Sequence, residues 1–252
     1  MKVWYMNGAG NSFSVIDARY ENIDMSRTAR ELCSLRGCDG FMALENSFIA
    51  DFKLNFYNDD GSRAEMCGNG ARCICRFAYE NGIAGRKMTI ETDAGIVEGE
   101  RVSERIYRVR LNDPQMITVD KKMGVDYAVV GVPHAVIELE DLEWDNVDGL
   151  FERAREIRYE LDANVNFYSR IDADTVKILT YERGVENFTL ACGTGSGALA
   201  AILWNKGALV GREMTVKNRG GDLKLIIEAE KDMISSLYLE GDTEIEEIKS
   251  FR

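Results

Sequence analysis

Two short stretches of this chain hold residues suited to proton chemistry. They are CGNG (67–70), led by Cys67, and CGTG (192–195), led by Cys192, spaced 125 positions apart. Each runs into an apolar, helix-like segment, GARCICRFAYEN after the first and GSGALAAILWNK after the second. A helix N-terminus carries N–H groups outside its own ladder and a partial positive charge. A thiol placed there ionises more readily and becomes a usable base. The same N–H groups can receive a carboxylate, and the glycines let it come close to the backbone. Taking the α-proton from an amino acid leaves a carbanion whose charge spreads onto its carboxylate, where oriented N–H groups stabilise it. A thiolate that removes the proton and a thiol that returns one on the other face would invert the centre.

The other cysteines, Cys33, Cys38, Cys73 and Cys75, lack this context and read as small buried hydrophobes. The C-x5-C-x-C spacing of Cys67, Cys73 and Cys75 is not a usual zinc spacing, and His134 is the single histidine, so no metal is expected. A nucleotide-binding reading of GTGSGA (193–198) is weak, because the strand before it ends about a dozen residues too early. No G-x-S-x-G stretch points to a serine hydrolase. A non-catalytic amino-acid-binding protein is the rival from another class, though it has no need of two helix-tip cysteines.

The two motifs lie inside longer copies. KLNFYNDDGSRAEMCGNGARCICRFAYENG (53–82) matches KILTYERGVENFTLACGTGSGALAAILWNKG (177–207). MTIETDAG (88–95) pairs with MTVKNRGG (214–221), and GNSFSVID (10–17) with GVPHAVIE (131–138). Three blocks in one order indicate duplication. The halves are placed at 1–117 and 118–252, meeting near ITVDKK (117–122). SFSVID, DFKLNFY, RVRL, AVVGV, TVKILTY, LKLIIEA and SSLYLEG read as strands. SRTARELCSL, with Ser26 as N-cap, and DGLFERAREI read as helices beside the two cysteine-led ones. Gly82 and Gly207 sit where helix C-termini want glycine. The expected fold is α/β (α+β), two similar domains with the active site in a cleft between them.

The 252 residues carry a net charge of −12, which disfavours nucleic acid. No segment reads as a signal peptide or a membrane span, so a soluble, cytoplasmic protein with no membrane partner is expected.

NGAGNSFSVID (7–17), FYNDDGSRAEMCGNGARC (56–73), GVPHAVI (131–137), ANVNF (163–167) and ERGVENFTLACGTG (182–195) together resemble the diaminopimelate epimerase family over nearly the whole chain. The resemblance implies two pseudo-symmetric halves, each a mostly antiparallel sheet wrapped round a central helix, with no cofactor. It also implies a small amino-acid substrate and, since members often pair, a homodimer. Carried over residue by residue, it makes Cys67 and Cys192 the acid–base pair. The amides of Gly68, Asn69, Gly193 and Thr194 would hold the α-carboxylate. Asn11 would sit by the reacting amino group, and His134 matches the family's histidine. Asn58, Asn164, Glu182 and Arg183 would grip the distal amino and carboxylate groups. Asn58 and Asn11 read equally as turn residues, Glu182 and Arg183 as a surface pair, and His134 as a core histidine.

Three departures bear on the substrate. Val132 stands where the family has asparagine in G-N-P-H. The GVENFTLA stretch between Arg183 and Cys192 is one residue longer than usual. Asn7 and Ser12 replace a usual histidine and aspartate. LL-diaminopimelate is the first expectation, and another amino acid, histidine for example, stays open.

Overall fold

The computed structural model describes residues 1–64, 67–120, 124–145 and 147–251. In chain order the first run is β1 (Lys2–Gly8), β2 (Asn11–Asp17), α1 (Met25–Arg36), β3 (Gly40–Glu45), β4 (Phe52–Asn58), α2 (Gly68–Glu80), β5 (Lys87–Thr92), β6 (Gly95–Arg101) and β7 (Ile106–Arg110). The second is β8 (Gln115–Thr118), β9 (Asp126–Val130), β10 (Val132–Glu138), α3 (Asp148–Leu161), β11 (Asn164–Arg170), β12 (Thr175–Glu182), β13 (Asn187–Phe188), α4 (Gly193–Asn205), β14 (Glu213–Asn218), β15 (Gly221–Glu230) and β16 (Met233–Asp242). β17 (Glu244–Ser250) follows.

Two compact units result: residues 1–109 with 241–252, and residues 110–240. In the first, β17–β1–β2 pair antiparallel, β2–β3 parallel, β3–β4 antiparallel, β4–β5 parallel, and β5–β6–β7 antiparallel. The second repeats the scheme. β8–β9–β10 pair antiparallel, β10–β11 parallel, β11–β12 antiparallel, β12–β14 parallel and β14–β15 antiparallel. This is the expected mixed α/β fold, sheet-rich and duplicated.

The expected boundary at 117/118 differs from these units, and the pairing explains why. β8 closes the first half in sequence but pairs with β9, so residues 110–117 fold with the second unit. β17 closes the second half but pairs with β1 and folds with the first. The expected junction is therefore partly strand, as Ile117 and Thr118 belong to β8, while Lys121 and Lys122 lie outside the described residues.

Within each unit the helix led by a cysteine is the buried one. α2 packs against β1, β2, β3 and β6, and every residue from Gly68 to Ala78 is buried. α4 packs against β8, β9, β10, β11 and β15, with Gly195–Leu203 buried. A helix enclosed this way must be apolar or small on all faces, which GSGALAAIL satisfies. The other two helices cover the outside. α1 buries Ala29, Leu32 and Cys33 against Val3, Ile16 and Phe41, and α3 buries Ala154 beside Val165 and Leu179.

Capping follows local chemistry. Gly82 (φ 66°) and Gly207 (φ 64°) take the left-handed turn just past α2 and α4, as expected. α1 starts two residues earlier than expected: Asp24, not Ser26, is its N-cap and accepts from the Arg27 amide at 3.0 Å. The Ser26 hydroxyl instead donates to Gly61 O at 2.8 Å and so holds the β4–α2 turn. The AVVGV run is also not one strand, because Gly131 (φ 71°) turns the chain between β9 and β10.

Candidate active site

In the first unit Cys67 is the N-cap of α2, with extended backbone (φ −100°, ψ 129°), and is half-buried. Its carbonyl accepts from the Ala71 amide at 2.8 Å, so the amides of Gly68, Asn69 and Gly70 fall outside the helix ladder. The β1–β2 hairpin is brought onto this turn by its two-residue loop, Ala9 (φ 53°) and Gly10 (φ 87°). A side chain at Gly8 would press on Asn69 O and Cys73 Sγ, so glycine lets the hairpin seat against the helix. Asn11 is thereby placed to accept from Asn69 Nδ2 at 2.7 Å. Asn7 is used in the turn, its Oδ1 accepting from the Gly10 amide. Ser12 donates from both its amide and its hydroxyl to Asp39 Oδ2. Asn58 is exposed at the end of β4 and donates from Nδ2 to Ser62 Oγ at 2.9 Å, a turn contact.

In the second unit Cys192 is the N-cap of α4 (φ −123°, ψ 111°). Its sulfur accepts from the Gly195 amide at 3.4 Å and lies 3.5 Å from Thr194 Oγ1. Ser196 fixes the cap, donating from both amide and hydroxyl to Cys192 O. Gly193 is buried and Thr194 half-buried in the same turn.

The parallel register of β10 on β11 pairs His134 with Asn164. His134 is fully buried, and burial, helped by the charge of Arg183, pushes its pKa down to about 3. It is a neutral imidazole. Asn166 Nδ2 donates to Ala135 O at 2.9 Å while its Oδ1 accepts from Thr180 Oγ1, which fixes the amide's orientation. The same Nδ2 lies 3.2 Å from His134 Nδ1, so Nδ1 accepts and the proton sits on Nε2. Nε2 has no partner among the described residues.

Asn164 Oδ1 accepts from the Arg183 amide at 2.7 Å, and Arg183 Nη1 donates to Asp162 O and Oδ2. Asp162 takes the left-handed conformation (φ 48°) just after α3, which suits an aspartate. Glu182 Oε1 accepts from Thr189 Oγ1 at 2.7 Å. The stretch 184–191 is held by Glu186, whose Oε1 accepts from the Gly184 amide and from Arg158. Val132 opens β10, half-buried.

The second unit thus places His134, Asn164 and Glu182 on the adjoining strands β10, β11 and β12, with Arg183 just past β12, and the first gathers Cys67, Gly68, Asn69 and Asn11. Asn166, Thr180 and Asp162 escaped the sequence reading. Asn164 and Asn166 stand two apart in a strand, hence on one face, which could have signalled the second. Burial raises the Cys33 and Cys38 thiols to about 11 and Cys73 to about 12, and pushes Cys75 up further. All four are buried, as expected of small core hydrophobes. Among the described residues no three His, Cys, Asp or Glu side chains form a metal cluster, and no helix is long and apolar enough to cross a membrane.

Solved structures share this fold at low identity. A PhzF-family phenazine biosynthesis protein from Bacillus anthracis superposes with a TM-score of 0.76 at 16% identity, covering 100% of this chain and 99% of its own. A hydroxyproline epimerase from Agrobacterium vitis gives 0.73 at 15%, covering 99% and 90%. Fold and site together are two like α/β units, each with a cysteine at the N-cap of its buried helix. The family model "Diaminopimelate epimerase" matches residues 3–117 and 127–245. The diaminopimelate epimerase of Aquifex aeolicus is 39% identical over 96% of this chain and 94% of its own. That of Archaeoglobus fulgidus is 37% identical over 87% of each. The chain belongs to the diaminopimelate epimerase family.

Proposed function

We propose that this enzyme interconverts LL- and meso-diaminopimelate by proton exchange at one α-carbon, with Cys67 and Cys192 as base and acid. The observation that carries the reading is the repeated one: each unit buries one helix and caps it with a cysteine. One sulfur, as thiolate, takes the α-proton. The charge left on the carboxylate oxygens is met by the amides of Gly68, Asn69, Gly193 and Thr194. The other sulfur, as thiol, returns a proton to the opposite face, and the reverse reaction exchanges the two roles. No cofactor enters these steps.

In this reading Asn11, with Asn69, orients the reacting amino group. His134 donates from Nε2, and neutral imidazole suits a donor that must not compete for the abstracted proton. Arg183 and Glu182 meet the distal carboxylate and amino groups, with Asn164 holding the Arg183 backbone and Asp162 holding one of its nitrogens. Asn58 reaches the distal group only by leaving its turn contact. The substrate is a small free amino acid in the cytoplasm, with no nucleic-acid or membrane partner, and self-association into a homodimer is read by sedimentation.

The test is deuterium entry at the α-carbon in D2O without pyridoxal phosphate. The panel is LL-diaminopimelate, L-histidine, L-lysine and L-glutamate, with Cys67→Ala and Cys192→Ala as controls. Exchange on diaminopimelate, lost by about 10³-fold or more in either variant as expected for removal of a general acid–base group, supports the reading. Preferred exchange on another amino acid reassigns the substrate through Val132 and the longer 184–191 stretch. Absence of exchange on all four, with folded reduced protein, returns a binding protein.

A further inference from the structure

We propose that Arg158 and Asp162 are positioning residues for Arg183, joined to it in a ring of charges that makes a second carboxylate the feature selected in a substrate. The inference rests on the reading of Arg183 as the group that meets the distal carboxylate. The ring lies wholly in the second unit. Asp162 closes α3 and stands between two guanidiniums. Its Oδ2 accepts from Arg183 Nη1 at 2.9 Å, and its Oδ1 accepts from Arg158 Nη1 at 3.0 Å. Its carbonyl accepts from the same Arg183 nitrogen at 3.0 Å. Arg158 turns its Nε, at 3.0 Å, and its Nη2, at 2.9 Å, to Glu186 Oε1. Glu186 closes the ring by accepting from the amide of Gly184, the residue next to Arg183.

An isolated exposed ion pair holds its long side chains loosely and contributes little. Asp162, with a side chain 74% exposed, fits that description alone. Arg158 does not. Its side chain is 13% exposed, and it grips both carboxylates, so it ties Asp162 to the turn at 184–186. The backbone is fixed on either side as well. Asp162 (φ 48°) and Glu186 (φ 56°) take the left-handed conformation, and the Arg183 amide donates to Asn164 Oδ1 at 2.7 Å. Asn164 stands opposite His134 in the β10–β11 register, which keeps Arg183 in the neighbourhood of that imidazole.

What the ring supplies is direction. Nη1 of an arginine carries two N–H bonds, and Asp162 takes both, one at its carbonyl and one at its carboxylate. A guanidinium is planar, so holding one nitrogen by both hydrogens fixes the plane of the whole fork. The ring uses Nη1 alone and leaves the edge made by Nε and Nη2 to a carboxylate, which such an edge binds in a bidentate way. A fork already oriented loses little side-chain freedom when that carboxylate arrives. An amino acid whose far end carries only an ammonium sets like charge against it and leaves the edge unpaired. Without Asp162 the two arginines lose the anion they share, and Arg183 is no longer aimed.

The experiment is steady-state kinetics on LL-diaminopimelate, with L-lysine as a competitor lacking the second carboxylate, in wild type, Asp162→Gly, Asp162→Asn, Arg158→Met and Arg183→Met, with the Tm of each. Glycine suits the left-handed position after a helix at least as well as aspartate, so Asp162→Gly should melt no lower than wild type. It should raise KM about tenfold or more with kcat held within about twofold, since a distal contact is made alike in the ground and transition states. The inhibition constant of L-lysine should stay where it is. Asp162→Asn, which keeps one side-chain acceptor, should fall between, and Arg158→Met should raise KM although it does not bond to Arg183. An unchanged or lowered KM in Asp162→Gly, a loss confined to kcat or Tm, or an equal weakening of L-lysine overturns the inference. Arg183→Met separates the two failures. A KM unmoved there means that the distal-carboxylate reading has failed, whereas a KM raised in Arg183→Met alone means that only the ring has.

Discussion

His134 is the residue whose environment gives the sharpest solution behaviour. The imidazole titrates near 6.5 when the chain is unfolded and near 3 when it is folded. Its folded pKa is depressed, so the unfolded state alone takes up the proton as pH falls below about 6.5, and the fold loses stability there. The loss runs at up to about 1.4 kcal/mol per pH unit and ends near the folded pKa, where both states are protonated. Stability measured by urea from pH 7 to 4 should therefore fall less steeply in His134→Gln than in wild type. Equal slopes would mean that the buried imidazole is not a neutral one. At this scale the sequence was readable where a residue type repeated in a repeated setting. Cys67 and Cys192 were found because two copies of one motif put them at two helix tips. Asn58 shows the opposite limit, since N-D-D-G spells a turn whatever else the amide does, and the turn contact is what the structure has. Asn166 and Thr180 were hidden because their work is to orient His134, and a partner's partner leaves no spacing in the sequence.

Elements follow from chemistry that is mostly local, and α4 shows how tightly one is fitted. A methyl group at Gly195 would collide with Asn166 Oδ1, which Thr180 and Ala135 hold in place through the same side chain. Gly195→Ala should destabilise the protein by roughly 1–3 kcal/mol, the usual cost of overpacking a rigid core. It should also slow exchange more than a stability loss of that size explains, because the Gly195 amide is the donor to Cys192. Thermal melting and the exchange rate at a temperature well below the transition separate the two effects. The four helices among the described residues were legible from apolar periodicity and flanking turns. Local rules were ambiguous where two good caps lay two residues apart: Asp24 took α1 because Ser26 is drawn away to Gly61. Gly131 was lost inside an apolar run, since V-V-G-V reads as a strand until the hairpin pairing of β9 with β10 is known.

At the scale of the whole molecule the duplication was plain in sequence, but its folding partners were not. Three matched blocks set the halves, and the family model matches the chain in two segments, 3–117 and 127–245. What they could not reveal is which first strand each last strand joins, because pairing between distant segments is not written in local pattern. β17 lies along β1 through six matched positions, Lys2 with Ser250 to Asn7 with Glu244. Ending the chain after residue 240 should remove several backbone hydrogen bonds at about 1 kcal/mol each and lower Tm by roughly 10 °C or more. Calorimetry on the shortened chain reads this directly, and an unchanged melt would make β17 an ornament.

The same exchange of end strands sets inheritance and folding out of step. The stretch that was copied runs from β1 to β8 and again from β9 to β17, whereas each body that folds borrows its closing strand from the other copy. A gene cut at the copy boundary would therefore yield a product with one strand to spare and one wanting. Two such products, not one, satisfy every edge.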